Sequence, residues 1–169
     1  MLISQLFEND REHHSVMQQT GFWGNKGSGC IFFAQDTKRF LIAHRSDNPV
    51  PYNVQEPGTW GSWGGAIDAN ENPEEAAIRE AEEECGYNGE IHMLPMYVFD
   101  AVKNGRIVFK YYNYLAVIPN EFTPRLNWES QGYKWCEFGQ WPSPLHFGLR
   151  KLFEDSNSYS LMRKLSSIK

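Results

Sequence analysis

Glu80, Glu83 and Glu84 fall within one turn of a helix that the sequence predicts from Pro73 to Cys85. Glu80 precedes the other two by three and four residues, so their carboxylates can converge within about 6 Å of axial rise. Like charges at this spacing repel by a few tenths of a kcal/mol per pair at a surface, and by more when desolvated. A cation offsets that repulsion. An all-oxygen donor set of this density suits Mg²⁺ or Mn²⁺. The competing description is a solvated acidic helix face with no ligand at all. Arg79 stands four residues before Glu83 and can brace it.

The elements that must position these groups are legible to different degrees. Asn72 is a good N-cap, Pro73 suits the first helical position and Glu75 completes a capping box. Glu74 and Glu75 also favour the positive end of the helix dipole, and Gly86 is placed to end the helix in a left-handed conformation. At ~100° per residue, Ala77, Ile78, Ala81 and Cys85 share one arc, the expected buried stripe, while Glu75, Arg79 and Glu82 are expected to face water. Gly29 to Ala34 and Arg39 to His44 are β-rich runs broken by Asp36-Thr37, which predicts a hairpin. Residues 46–59 read as a loop and Trp60 to Ile67 as a strand. Ile91 to Val102 and Arg106 to Val117 flank Asn104-Gly105, a strong hairpin signal. Gly132 to Phe138 is expected as a strand and Leu145 to Glu154 as a helix. Strands and helices mix without strict alternation, which gives an α/β class with a mixed sheet and helices packed on it.

Charge sharpens the picture. Residues 65–90 carry nine acids and one base, a net −8, against 15 bases and 12 acids elsewhere, a net +3. That balance excludes a broadly basic nucleic-acid binder and leaves no extended nucleic-acid surface. No apolar run is long enough for a membrane span, and the N-terminus lacks a basic signal-peptide region. Cys30, Cys85 and Cys136 are odd in number and widely spaced, with no zinc-like spacing to histidine. Three reduced thiols and a cytoplasmic location are the expectation.

The stretch from Gly65 to Tyr87, GAIDANENPEEAAIREAEEECGY, resembles the Nudix box, G-x5-E-x7-R-E-U-x-E-E-x-G-U, with U a bulky aliphatic residue. Gly65, Glu71, Arg79, Glu80, Glu83, Glu84 and Gly86 all fall in register, while Ala81 and Tyr87 depart at the two U positions. Outside the box the resemblance is looser. Arg45 matches an arginine that often ends the preceding strand, and Glu129 with Trp135 matches a downstream pattern. Trp60 to Gly65 reads WGSWGG, so Trp63 replaces the proline usual there.

The resemblance implies an α/β/α sandwich, with the Nudix helix packed on a mixed sheet and a Nudix domain over residues 28–155. Residues 1–27 would be an N-terminal extension and 156–169 a C-terminal helix or tail. It implies metal-dependent hydrolysis of a nucleoside diphosphate linked to another moiety. Glu80, Glu83, Glu84 and the Gly65 carbonyl would hold Mg²⁺ or Mn²⁺, with Glu71 and Arg79 orienting them. A carboxylate would take the proton of the attacking water, Glu84 or Glu83 before Glu129. Arg45 would contact phosphate or base, and Trp63 would border the substrate. Trp60, Trp141, Phe22-Trp23 and Tyr111-Tyr112 are expected to pack, and His44 and His146 to be structural.

The markers implied for hydrolases of ADP-ribose, dinucleoside polyphosphates, coenzyme A and NADH are missing; Val102 stands where the first expects proline, and Lys103, Asn104 and Gly105 where the second expects tyrosine. That leaves a small-molecule nucleotide, a nucleoside triphosphate or a relative, as substrate, with sugar nucleotides and capped RNA open. The resemblance allows a homodimer. Two other readings stay in play: a Nudix-fold binding or regulatory module without catalysis, and a cation-binding structural helix without nucleotide.

Overall fold

In the computed structural model, the described residues are 24–47 and 56–169, with Ser15. The expected N-terminal extension, with Phe22-Trp23, lies almost wholly outside them, as does the middle of the 46–59 loop. The sheet grows around an apolar run. Cys30 to Ala34 is buried on both faces, as a strand covered by helices on each side must be. This run belongs to β1 (Lys26–Ala34), followed by β2 (Arg39–Arg45), β3 (Trp60–Gly61), β4 (Trp63–Ala66), α1 (Pro73–Cys85), β5 (His92–Lys103), β6 (Arg106–Ile118), β7 (Ser130–Cys136), α2 (Phe147–Glu154) and α3 (Ser156–Ser167).

The strand order is β3-β2-β1-β6-β5, with β4 pairing β1 and β7 pairing β2. Strand β1 runs parallel to β6 along its whole length, from Lys26 beside Lys110 to Ala34 beside Ile118. Its other edge is shared: Gly27 to Cys30 pair with β4 and Phe32 to Ala34 with β2, both antiparallel. Alternate side chains therefore feed two cores. Cys30, Phe32 and Ala34 pack with Ala77, Ala81 and Cys85 of α1. Ile31 and Phe33 pack with Leu149 and Leu152 of α2 and Met162 of α3. The result is the expected α/β/α sandwich on a mixed sheet.

Both expected hairpins form. Lys38 closes the β1–β2 turn through its N–H to the Ala34 carbonyl, 2.9 Å. Asn104 and Gly105 both take positive φ, 53° and 72°, as a two-residue turn matching the strand twist requires. The strand expected from Trp60 to Ile67 is broken at Ser62 into β3 and β4, which pair with different neighbours, β2 and β1. The helix expected from Leu145 starts two residues later because the His146 side chain caps it.

The ends of α1 follow the sequence closely. The Asn72 side chain accepts from the Glu75 N–H at 2.9 Å, and the Glu75 carboxylate accepts from the Asn72 N–H at 3.0 Å. Gly86 takes φ 74°, and a Cβ there would lie 2.9 Å from the Arg125 Nε. Substituting Asn72 by alanine is expected to cost about 1 kcal/mol, read by urea denaturation with an unchanged m-value. A midpoint equal to the parent's would show that the capping box contributes nothing.

The wheel is rotated relative to expectation. Ala76, Glu80 and Glu84 are buried beside Ala77, Ala81 and Cys85, whereas Ile78 is 37% exposed. Arg79 does not face water but folds back among carboxylates. No helix among the described residues is long and apolar enough to cross a membrane, and Cys30, Cys85 and Cys136 are buried and unpaired.

Candidate active site

The acidic face of α1 is docked on the β1–β4 edge. At its N-terminal end the Ser28 hydroxyl donates to the Pro73 carbonyl, 2.6 Å. Further along, the Gly64 N–H donates to the Glu84 carboxylate, 2.8 Å, which ties strand β4 directly to the acid cluster. Glycine is required at the next residue as well: a Cβ on Gly65 would lie 2.6 Å from Glu80 Oε1. The Gly65 backbone can therefore lie against a carboxylate that any side chain would displace.

Arg79 organises the cluster. Its Nε and one terminal nitrogen donate to the two Glu71 oxygens, at 2.7 and 3.0 Å. The other terminal nitrogen donates to Glu80 at 2.8 Å and to Glu83 at 3.2 Å. A further bond at 2.9 Å reaches the Ala66 carbonyl. Burial lowers the guanidinium pKa, but the Glu71 hydrogen bonds and the charges of Glu80 and Asp68 outweigh it, and the net shift is upward. Burial would raise Glu71 too, yet the Arg79 and Asp68 hydrogen bonds hold it below the usual carboxylate range.

The two inner carboxylates behave differently. Burial drives Glu80 up to about 7 against the pull of Arg79. Burial, and then the charges of Glu129 and Glu80, push Glu84 well above the usual carboxylate range. Glu83 stays outside, its side chain 57% exposed. As the side chains stand, Arg79 bridges Glu80 and Glu83, and no three His, Cys, Asp or Glu groups among the described residues converge closely enough to hold a metal ion.

Glu129 reaches this cluster from the loop before β7. The Glu129 carbonyl accepts from the Ser46 N–H at 2.9 Å, and the Asn127 N–H donates to the Glu84 carbonyl at 3.3 Å. The loop is thus pinned to the end of β2 and to α1, and the Glu129 charge bears on Glu84. Trp135, expected to accompany it, is partly buried and donates to the Phe122 carbonyl at 3.2 Å.

A cavity of about 130 Å³ opens beside Gly64. Arg45 and Ser62 line it together with Gly64, and the charges of Glu84 and Glu129 both act on Arg45. Burial lowers the Arg45 pKa despite those carboxylates. Phe99, Phe109 and Phe147 supply aromatic wall, and Tyr111, Asn113 and His146 supply polar atoms.

Sequence reasoning misplaced several of these residues. Trp63 does not border the cavity: it is fully buried against α1, with its Nε1 donating to the Leu41 carbonyl at 3.3 Å, so it has no face for a ligand. His146, read as structural, caps α2 and also lines the cavity. Its Nδ1 accepts from the Gly148 N–H at 3.1 Å, so the neutral ring carries its proton on Nε2. Burial and the Arg45 charge lower its pKa to about 4. Tyr111 is likewise more than packing. His44 stacks on Trp60 at 4.2 Å between centroids.

Fold and site together define an α/β/α protein in which a carboxylate-bearing helix and an aromatic-lined cavity meet at one glycine strand. The family model described as the NUDIX domain matches residues 25–156, and the chain belongs to that family. Over 56 residues it is 45% identical to an RNA pyrophosphohydrolase of Gluconacetobacter diazotrophicus, covering 33% of this chain and 32% of that one. The chain spans about a third of the length of the curated relatives it matches. Among solved structures it resembles RenU, a Nudix hydrolase of Mycobacterium smegmatis, with 26% identity, a TM-score of 0.64 and coverage of 86% and 88% of the two chains. A MutT NUDIX hydrolase of Burkholderia pseudomallei gives 26%, 0.58, and 78% and 97%.

Proposed function

We propose that this protein hydrolyses a pyrophosphate bond in a nucleoside triphosphate or related nucleotide, with Mg²⁺ as its cofactor and Mn²⁺ able to replace it. The observation that carries this reading is the burial of Glu80 and Glu84 beside Gly65 and against Glu129. Buried carboxylates crowded in this way are costly without a cation. The donor set, Glu80, Glu83, Glu84 and the Gly65 carbonyl, is all hard oxygen, as Mg²⁺ prefers. Among the described residues, the Glu83 carboxylate is held only by the longest of the hydrogen bonds from Arg79, and it can turn inward.

A bound divalent ion would neutralise phosphate charge and favour ionisation of the attacking water. The rest falls to the chain. Glu71 and Arg79 hold the inner carboxylates in place. The attacking water's oxygen bonds to phosphorus as the anhydride P–O bond breaks, and its proton passes to a carboxylate of the Glu84–Glu129 pair. Arg45, between Glu84 and the cavity, pairs with a phosphate oxygen. The relative named as an RNA pyrophosphohydrolase supports a phosphoanhydride as the scissile bond. Three buried, unpaired thiols suit a reducing compartment, the cytoplasm.

Incubation with a panel of nucleotides and Mg²⁺, read by mass spectrometry, is expected to release a mononucleotide with phosphate or pyrophosphate, and EDTA is expected to stop it. Nucleotide binding without turnover across the panel would instead establish a binding module. Metal binding without nucleotide binding would reduce α1 to a structural cation site.

A further inference from the structure

We propose that the cavity beside Gly64 receives the nucleobase and that Asn113 reads the base edge, making Asn113 and Phe147 the residues that set base preference. This rests on the phosphohydrolase reading and adds the part of the substrate that does not react. Gly64 belongs to both sites, lining the cavity while its N–H donates to Glu84 at 2.8 Å. A nucleotide with its phosphates at the acid cluster therefore has the cavity within reach of its other end. Phe99, Phe109 and Phe147 offer ring faces and edges to a flat heterocycle. Phe147 is itself fixed, by an edge contact to Phe99 at 5.5 Å and by its N–H to the Glu56 carboxylate at 2.6 Å.

Asn113 is the directional element. It is 6% exposed, and its Nδ2 donates to the Tyr97 carbonyl at 2.9 Å across the β5–β6 pair. That bond orients the amide and leaves its oxygen as the acceptor that Asn113 can offer beside the three phenylalanines of the lining. A base that turns a ring N–H or an exocyclic amino group to that oxygen is matched; one that turns an acceptor-only edge to it, such as the O6/N7 edge of guanine, leaves two acceptors opposed. Such a mismatch around a buried amide discriminates far better than a change in apolar contact. Burial and the Arg45 charge hold His146 neutral, so it adds no second charge beside Arg45.

The test is steady-state hydrolysis of the four ribonucleoside triphosphates with Mg²⁺, alongside equilibrium binding of the same nucleotides. The parent protein is expected to prefer one base class about tenfold in kcat/KM. Asn113→Ala is expected to reduce that preference to about twofold, through KM. Phe147→Ala, which leaves the Tyr97 bond intact, is expected to raise KM for every base. An unchanged base ranking in Asn113→Ala together with an unchanged KM in Phe147→Ala would overturn the assignment while leaving the hydrolase reading standing. If the parent hydrolyses none of the four, the hydrolase reading fails on its own and binding decides the cavity. Base-dependent binding lost in Asn113→Ala supports the assignment, and base-independent binding refutes it.

Discussion

Replacing Glu84 by glutamine is expected to lower kcat/KM by about 10³, in the middle of the range for a positioned carboxylate that handles a proton, the role proposed for Glu84. The substitution is close to isosteric, and the amide oxygen can still accept the Gly64 N–H that Glu84 accepts at 2.8 Å. What disappears is an ionisable carboxyl whose charged form is disfavoured by burial and by Glu129 and Glu80. Activity and stability should therefore move in opposite directions. Without divalent ions the parent protein carries crowded carboxylates that burial and mutual repulsion disfavour, so the variant is expected to melt higher. A relief of about 1 kcal/mol raises Tm by about 2–4 °C in a chain of this size. Adding Mg²⁺ reverses the order, because an ion bound to the folded state stabilises it by about 2.7 kcal/mol at a hundred times its dissociation constant, and the variant has lost a ligand. Thermal melts with and without Mg²⁺, beside steady-state kinetics, check this. Activity that survives the change, or equal Mg²⁺-induced shifts in both proteins, would sink the metal assignment.

That the acid cluster is legible in the sequence, and the cavity is not, has a physical cause. The signals for α1 are local: Asn72, Pro73, Glu75 and Gly86 act on backbone groups within one turn of themselves, and each does so in the structure. Helical spacing likewise puts Glu80, Glu83 and Glu84 on neighbouring positions whatever the rest of the fold does. Spacing cannot say which arc of the helix is pressed into the protein. Ala77, Ala81 and Cys85 are buried as expected, but the buried face extends toward Ala76, Glu80 and Glu84 and not toward the more apolar Ile78, because small residues and glycines let α1 approach β4 closely there. Burying glutamates against that preference is the local inconsistency expected of a functional site.

Trp63 and His146 show the same limit from the other side. Nothing near Trp63 in sequence marks it as core; it is buried because β4 pairs with β1 in the sheet and α1 packs over both, a tertiary fact. His146 reaches the cavity because β3 and the start of α2 are joined, with the Trp60 N–H donating to the Pro144 carbonyl at 2.9 Å and the His146 N–H to the Trp60 carbonyl at 2.7 Å. The cavity draws on residues from Arg45 to Gly148, so no short spacing could have announced it.

Removing Arg79 is expected to be the most damaging single change to stability. Arg79→Ala strips hydrogen bonds from Glu71, Glu80, Glu83 and the Ala66 carbonyl together. It leaves Glu71 and Glu80, whose side chains are 13% and 12% exposed, without the one guanidinium between them. Breaking a buried pair from one side costs about 3–5 kcal/mol, and Arg79 is 23% exposed, so the low end, about 3 kcal/mol, applies. Tm should fall by about 6–12 °C. Arg79→Lys keeps the charge but not the planar fork that spans both Glu71 oxygens, and it should recover less than half of the loss. Kinetics separate a positioning role from contact with substrate. A residue that only holds the carboxylates changes the Mg²⁺ requirement, so half-maximal activity should need about tenfold more Mg²⁺, within the range for groups that orient metal ligands. The nucleotide KM measured at saturating Mg²⁺ should stay close to the parent value. If the KM rises instead and the Mg²⁺ requirement is unchanged, Arg79 touches the nucleotide, and the picture of a brace behind the carboxylates is wrong.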